Sequence, residues 1–343
     1  MQDIKELSLK ELEKKILLWG FPKYHAQSIF AWICQKGVLD FSRMSNLPAP
    51  LRKLLAQHFS ALSIKLIQRQ EAKDGTYKLL FELADKSLVE AVSIPMGSYR
   101  TGCISSQVGC KFGCQFCASA VKGFKRNLTP VEILDEVLHL KNQDPANKLT
   151  HIVFMGTGEP LDNYDNCLAA IRRLNSPEAF NIGARRITVS TCGIIPGIKK
   201  LEREDLQIEL SVSLHSPDDK IRAQLMPVNN KYPLAKLIEG CREYIVKTNR
   251  QVTFEYILIK GVNADLADAQ NLAKLLKSLK LAKVNLIPAN PVRELKILPP
   301  EKAQIKVFKT VLVKAGLPVT LRKERGQDID AACGQLRLKY ENH

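Results

Sequence analysis

The segment Cys103–Cys117 constrains the chemistry of this chain more than any other. It reads CISSQVGCKFGCQFC and holds four of the nine cysteines. The last three, Cys110, Cys114 and Cys117, have the spacing C-x3-C-x2-C. A [4Fe–4S] cluster normally takes four cysteines, so three thiolates on one loop would leave one iron open to a substrate.

Zinc binding and chance spacing are the alternatives to a cluster. A structural zinc site needs four closed ligands and usually takes two C-x2-C pairs. Gly109 and Gly113 lie within the loop, where they allow the backbone to fold around a metal. The triplet by itself therefore favours a cluster over zinc, and zinc over chance.

The net charge and the cysteines indicate the kind of partner and the cellular compartment. The net charge of +16 favours polyanionic partners, nucleic acid before a membrane surface. The start, MQDIKELSLKELEKK, does not resemble a signal peptide, and no apolar run approaches the ~20 residues of a membrane span. We therefore expect a cytoplasmic, reducing location and no membrane partner, with the cysteines serving as ligands, catalytic thiols or core residues.

The periodicity of the apolar residues changes once within the N-terminal third of the chain. Helical stripes, such as Leu9, Leu12 and Ile16, predict a small helical module whose basic faces suit RNA, although a solvated face is the commoner meaning of such charges. A period of two then follows around the Asp74-Gly75 turn signal and predicts a β-hairpin extension. Glu90 lies in its last strand, either as an outward-facing residue or as a functional base.

Strand and helix patterns alternate from about residue 100 onward, which predicts βα units and a parallel sheet. After a first strand near residue 100, the predicted strands are His151–Gly156, Arg186–Thr191, Ile208–Leu214, Val252–Ile259 and Lys283–Ala289. A last helix and a short strand, Val319–Lys323, close the pattern. Six units are too few for an eight-stranded barrel, so we predict an α/β fold with a partial (βα)6 barrel.

These patterns divide the chain into four segments. We expect a helical RNA-binding accessory domain over residues 1–61 and a β-hairpin extension or linker over 62–96. The barrel core covers 97–327, and a C-terminal segment covers 328–343.

Unusual polar residues fall where the predicted barrel strands end. They are Gly158 and Glu159 after the second strand, Ser190 and Thr191 at the third, Ser213, Leu214 and His215 at the fourth, and Asn290 after the sixth. Barrel enzymes hold their chemistry at this rim. One such residue is usually a cap or a turn, but several sets beside a cysteine loop predict a shared ligand site.

Two of the six cysteines outside the triplet are candidates for catalysis. Cys333 lies in the polar, glycine-flanked segment GQDIDAACGQL, and Cys103 precedes the triplet. Cys333 is either an inert near-terminal thiol or, with Cys103, part of a redox pair or a nucleophile with its resolving thiol. The remaining cysteines are interpreted as packing residues, namely Cys34, Cys167, Cys192 and Cys241.

Eight segments together resemble one family. They are CKFGCQFC, GFKRNLT, MGTGEPL, ITVSTCGIIP, LSVSLHSPDD, LMPVNNKY, VNLIPANP and DIDAACGQL, and they resemble the RlmN/Cfr-type radical S-adenosylmethionine (SAM) RNA methyltransferases. The resemblance covers nearly the whole chain and implies a radical SAM barrel. It implies that Cys110, Cys114 and Cys117 bind a [4Fe–4S] cluster whose open iron is chelated by SAM. It also implies SAM contacts at Gly158, Glu159, Ser190, Ser213, Leu214, His215 and Asn290.

A covalent route is implied by the same resemblance. Cys333 takes a methyl group from one SAM molecule, and a second SAM molecule yields a 5′-deoxyadenosyl radical that removes hydrogen from the methylated Cys333. The resulting methylene radical adds to an adenine carbon, and Cys103 releases the product by forming a transient disulfide with Cys333. Glu90 is the implied proton acceptor. The target base has to be flipped out or single-stranded.

The family has two branches, and Pro160 resembles the one that methylates carbon 2 of adenosine. That branch acts on adenosine 2503 of 23S rRNA and often on adenosine 37 of tRNAs. Thr157, Cys192 and Ala289 depart from the usual family residues and bear on fine specificity. We expect a monomer that receives electrons from a donor such as flavodoxin and its reductase. The alternatives are carbon-8 methylation and a non-catalytic zinc-containing RNA-binding protein.

Overall fold

The computed structural model describes residues 1–144, 148–289, 297–322, 325–326 and 329, so Asn290 and Cys333 lie outside the described residues. The strands, in chain order, are β1 Gln2–Asp3, β2 Phe59–Ser60, β3 Lys65–Glu71, β4 Tyr77–Glu82, β5 Leu88–Pro95, β6 Arg100–Cys103, β7 Gln107–Gly109, β8 Phe124–Asn127, β9 Leu149–Phe154, β10 Ile187–Thr191, β11 Glu209–Ser213, β12 Val252–Leu258, β13 Ala282–Pro288 and β14 Val319–Leu321. The α-helices are α1 Leu9–Leu18, α2 His25–Phe30, α3 Ala49–His58, α4 Pro130–Gln143, α5 Tyr164–Asn175, α6 Ile195–Leu201, α7 Asp219–Leu225, α8 Leu234–Thr248, α9 Leu266–Leu276 and α10 Lys302–Lys314.

The predicted N-terminal helical module is confirmed. Ser8 and Glu11 cap the start of α1 reciprocally, and Leu12 and Ile16 are buried beneath it. β1 pairs with β2, so the two ends of the module are joined. At the junction with α4, the buried Lys5 ammonium group lies 2.9 Å from an oxygen of Asp135.

One ten-stranded sheet forms the rest of the architecture, in the order β14-β13-β12-β11-β10-β9-β6-β5-β4-β3. Within this sheet, the pairs that join β6, β9, β10, β11, β12, β13 and β14 are all parallel, as the βα pattern predicts. The short last strand, β14, joins them as a further parallel strand. β6 and β14 stand at opposite ends of the parallel part, and the antiparallel β5, β4 and β3 continue from β6. The partial barrel with a hairpin extension is therefore confirmed.

The two faces of the sheet differ in polarity. The outer face carries fully buried apolar residues such as Ile152 and Phe254, which pack in the main core with the helices. The inner face carries polar rows, because Ser213, Glu255 and Asn285 occupy matching positions on adjacent strands. The Asn285 amide donates to the Glu255 carboxylate over 2.7 Å. The barrel interior is thus lined for polar ligands or chemistry rather than filled with an apolar core.

Candidate active site

A cavity of about 280 Å³ opens at the C-terminal ends of the barrel strands. Most of the predicted cluster and cofactor residues line it: Cys110, Cys114, Cys117, Gly158, Glu159, Ser190, Ser213 and His215. Leu214 is fully buried in the main core, between two of these residues in sequence. The structure therefore gathers the cysteine loop and three strand ends around one space.

The cysteine loop connects β7 and β8, which form a small antiparallel hairpin. Gly109 has a φ of +77°, and a Cβ there would fall 1.8 Å from the carbonyl oxygen of Gly123. The Cys110 amide donates to that same carbonyl over 3.1 Å. Glycine is needed at this crossing because the two loop ends touch through their backbones. Farther along, the Gln115 amide donates to Leu225 at the end of α7 and ties the loop to the barrel.

The three thiols share one electrostatic environment. Burial raises the pKa of Cys110 to about 12, and a negative charge on Cys117 would raise it further. Burial also raises the pKa of Cys114, and charges on Cys117 and Cys110 act in the same direction. The sulfur atoms are thus close enough to feel one another, and binding a metal would release protons from them.

The donor set fits a cluster held by three thiolates. Thiolates are the ligands of iron–sulfur clusters, and the aromatic rings of Phe112 and Phe116 line the same cavity. Among the described residues, no three His, Cys, Asp or Glu side chains already form a closed metal-binding group. A closed four-ligand zinc site is therefore not preformed in the described part of the chain.

Glu159 is buried beside the cysteines, and its carboxylate is held by backbone amides. It accepts from the Cys192 amide over 2.7 Å and from the Leu161 amide over 3.1 Å. Burial raises its pKa, although these hydrogen bonds act against the rise. Cys192, predicted to be a packing residue, is buried but also lines the cavity. The preceding Gly158 has a φ of +104° and packs against the backbone of Gln107, so a Cβ is not accommodated.

His215 presents a neutral ring to the cavity. Its Nδ1 accepts the Ile257 amide over 3.0 Å, so the ring proton resides on Nε2. Burial lowers its pKa to about 3, and the charge of Arg222 acts in the same direction. The ring of Phe116 contacts it edge-on. His215 is therefore a hydrogen-bond donor that stays uncharged at neutral pH.

Arg222 is a residue of this site that the sequence patterns did not single out. Its guanidinium group is fully buried and donates to the carbonyls of Cys192, Ser213 and Leu214 and to the Asn229 side chain. It thereby joins the ends of β10 and β11. Its position in the short helix α7 resembles that of a surface arginine, and no local signal distinguishes it.

Glu90 and Cys103 lie away from this cavity lining but on the same inner face of the sheet. Val92, two residues from Glu90 on β5, is the cross-strand partner of Cys103. Both Glu90 and Cys103 are buried, so the outward-facing interpretation of Glu90 is wrong for this structure. The Glu90 carboxylate lies 2.7 Å from the fully buried ammonium group of Lys78 on β4.

Comparisons with known proteins agree with this architecture. Residues 104–275 match the family model of the radical SAM superfamily, and residues 2–61 match the ribosomal RNA large subunit methyltransferase N-terminal domain. A probable dual-specificity RNA methyltransferase RlmN of Pelotomaculum thermopropionicum is 46% identical over 98% of this chain and 92% of that protein. A protein of the same description from Geobacillus kaustophilus is 46% identical over 99% and 93%. The crystal structure of a radical SAM methyltransferase from Sphaerobacter thermophilus matches with a TM-score of 0.92 and 42% identity, over 98% of this chain and 99% of that one.

The fold and the cysteine loop thus define a radical SAM enzyme, a class that uses SAM and a [4Fe–4S] cluster. Within that class, the chain belongs to the RlmN family of RNA methyltransferases. The family membership overturns the alternative of a non-catalytic zinc protein. Among the described residues, none of the helices has the length and apolar character that crossing a membrane requires.

Proposed function

We propose that this RNA methyltransferase methylates carbon 2 of adenosine 2503 in 23S rRNA and of adenosine 37 in tRNAs. The observation that carries the proposal is the single inner surface of the barrel. It joins a cavity lined by Cys110, Cys114 and Cys117 to the buried Glu90 and Cys103. Pro160, the residue that resembles the carbon-2 branch, lines that cavity as well.

The bound cofactors would supply a methyl group from one SAM molecule and a hydrogen-abstracting radical from a second, with the cluster as the electron source. The chain would hold the cluster through its three loop thiols. Glu159, Ser190, Ser213 and His215 line the space where SAM would be held, with Asn290 assigned from the resemblance. His215 would donate from Nε2 without adding charge.

Three further residues would handle the substrate. Cys333 would carry the methyl group as a thioether, and Glu90 would accept the proton that leaves the adenine ring. Cys103 would attack the Cys333 sulfur and release the product. Cys103 is buried at the end of β6, where the inner face meets the rim, which suits a thiol that has to stay shielded until the substrate is attached.

The module at residues 1–61 and the core at residues 97–327 would share the contact with RNA. The extension at residues 62–96 and the segment at residues 328–343 would be the other two functional units. The net charge of +16 supports a polyanionic substrate. We further propose a cytoplasmic monomer that takes electrons from flavodoxin and its reductase.

Mass mapping of modified adenosine tests the position of methylation. RNA from cells carrying or lacking this protein is digested, and 2-methyladenosine and 8-methyladenosine are separated. We expect 2-methyladenosine in 23S rRNA and in tRNA only when the protein is present. Appearance of 8-methyladenosine instead would assign the protein to the other branch.

Cysteine variants test the covalent route. Cys103→Ala should accumulate a covalent protein–RNA species, because nothing resolves the thioether, while Cys333→Ala should form none and transfer no methyl group. Cys167→Ala is the matched control, because Cys167 is a buried thiol on α5 in the main core. Normal turnover by Cys103→Ala would contradict the resolving role.

A further inference from the structure

Among the described residues, two lysines have side chains that are almost entirely buried in ion pairs. Lys5 pairs with Asp3 and Asp135 at the junction between the N-terminal module and α4. Lys78 pairs with Glu90 inside the hairpin extension. Burying an ammonium group costs free energy unless the group is paired with a carboxylate. Each of these two lysines meets that condition through its ion pair.

Register places the second pair on the catalytic face. Lys78 lies directly opposite Val92, and Val92 lies opposite Cys103, so these positions form one row across β4, β5 and β6. Adjacent strands are about 4.8 Å apart. Successive side chains of a strand point to opposite faces, so Glu90, two residues before Val92, lies on the same face as Val92. It is closer to the rim than Val92. The other face of β5 packs Val89 and Ala91 in the main core.

Glu90 is fixed through its backbone as well. The Ser105 hydroxyl donates to the Glu90 carbonyl over 2.7 Å, and the Ser105 amide donates to Glu136 over 2.7 Å. Burial raises the pKa of Glu136 well above its usual range, and the charge of Glu90 acts in the same direction. Glu136 is therefore shifted toward its neutral form, which weakens its repulsion of Glu90. Apart from Glu136, the titratable groups on the inner face of the neighbouring described strands β4 and β6 are Lys78, Glu82 and Cys103, and Glu82 pairs with Lys86. Tyr77 and Arg100 lie on the opposite face, with Ser93.

We propose that Lys78 is a positioning residue for methyl transfer, whose ammonium group keeps the Glu90 carboxylate ionised and oriented on the inner face of the barrel. This inference rests on the proposed role of Glu90 as proton acceptor. A carboxyl group buried at this depth without a cation would favour its protonated form, which cannot accept a proton. In the proposed step, a proton passes from the adenine ring to a Glu90 oxygen, and the electron pair of the C–H bond stays on the ring. The remaining ammonium charge then favours release of that proton before the next turnover.

Infrared spectroscopy of the cofactor-free protein tests the charge of Glu90 directly. Subtracting the spectrum of Glu90→Gln isolates the Glu90 band, which should be that of an ionised carboxylate at pH 7. In Lys78→Met, a protonated carboxyl band should replace it. Lys5→Met is the matched control, because it removes the other buried lysine and should leave the Glu90 band unchanged. An ionised Glu90 in Lys78→Met at pH 7 would overturn the proposal.

The pH profile of single-turnover methyl transfer gives the second measurement. Loss of the ammonium group removes the charge that is paired with the Glu90 carboxylate, so the rising limb should move to higher pH. The rate at pH 7 should fall about 100-fold, a typical contribution of a general base. Lys78→Arg retains the charge, so it should keep the ionised band and a rate within about tenfold of the wild type. The Lys78→Arg variant remains informative if Lys78→Met does not fold, since a protonated Glu90 in Lys78→Arg would also overturn the proposal. Absence of methylation by the wild-type protein would instead overturn the proposed function.

Discussion

The rim cavity and the hairpin extension present polar groups to the same barrel interior in different ways. At the rim, the polar groups follow strand ends, and backbone amides hold them, as the amides of Cys192 and Leu161 hold Glu159. In the extension, Lys78 and Glu90 lie within strands, and their side chains form an ion pair. The rim has partly exposed thiols around an open cavity. The extension has charges that are almost fully buried.

This difference predicts different roles for the rim cavity and the hairpin extension. A cavity whose walls are fixed by backbone hydrogen bonds keeps its shape while a ligand enters and leaves. If Glu90 is the proton acceptor, as proposed, its pairing with Lys78 inside the sheet preorganises it for one proton transfer, because neither group has to reorganise when the substrate arrives. Substitutions at the rim should therefore affect stability and cofactor binding, and substitutions in the extension should affect proton transfer.

The largest effect on the rim is expected from Arg222→Met. This change leaves the carbonyls of Cys192, Ser213 and Leu214 without their buried donor. Each unsatisfied buried group costs about 1–3 kcal/mol, so the free energy of unfolding should fall by at least about 3 kcal/mol. SAM binding should weaken by at least about tenfold, because the ends of β10 and β11 lose their link. Urea denaturation and equilibrium binding measure the two quantities.

Arg242→Met is the control for that variant. Arg242 is exposed and pairs with Glu239 one turn away on α8. Its loss should change the free energy of unfolding by no more than about 0.5 kcal/mol. Equal effects of the two substitutions would show that the rim does not depend on its buried arginine, and the contrast with the extension would fail.

The same two regions show what a sequence can predict. The rim was predictable, because Gly158 follows a buried strand, Ser190 and Ser213 lie at the ends of two others, and parallel strands bring their ends to one edge. Lys78 was not, because a lysine in an alternating strand normally faces solvent. Here that face is the barrel interior, a fact set by pairing with β5 and β6 rather than by neighbours in the chain. Arg222 was missed for a similar reason, since its partners are backbone carbonyls of distant strands.

An intermediate effect is expected from His215 as the pH falls. Its pKa is about 3 in the folded protein and about 6.5 when unfolded. Below pH 6.5 the unfolded state binds a proton that the folded state does not, so stability decreases as the pH falls toward 3. Between pH 7 and pH 5, the free energy of unfolding should fall by about 2 kcal/mol from this residue. His215→Asn, which tolerates the left-handed backbone, should lack that part of the slope in urea denaturation.

His58→Asn provides the reference for the pH slope. His58 is exposed at the end of α3, so this variant makes the same replacement outside the rim. If the free energy of unfolding of His215→Asn depends on pH as strongly as that of the wild type, the rim does not hold the His215 ring neutral.

The smallest effect is expected at the turn of the extension. Asp74 accepts from the Thr76 amide with one oxygen and from the Gly326 amide with the other, and Arg325 lies 3.9 Å away. Asp74→Asn keeps an acceptor for the turn but removes the charge next to Arg325, so global stability should change by less than about 1 kcal/mol. Local opening should nevertheless increase, and trypsin should cleave after Arg325 two- to threefold faster, on the order of a few tenths of a kcal/mol in local stability. Asp40→Asn, which removes an exposed charge that caps Ser42, is the control. Equal cleavage rates in the two variants would show that the extension does not restrain the chain that leads toward Cys333.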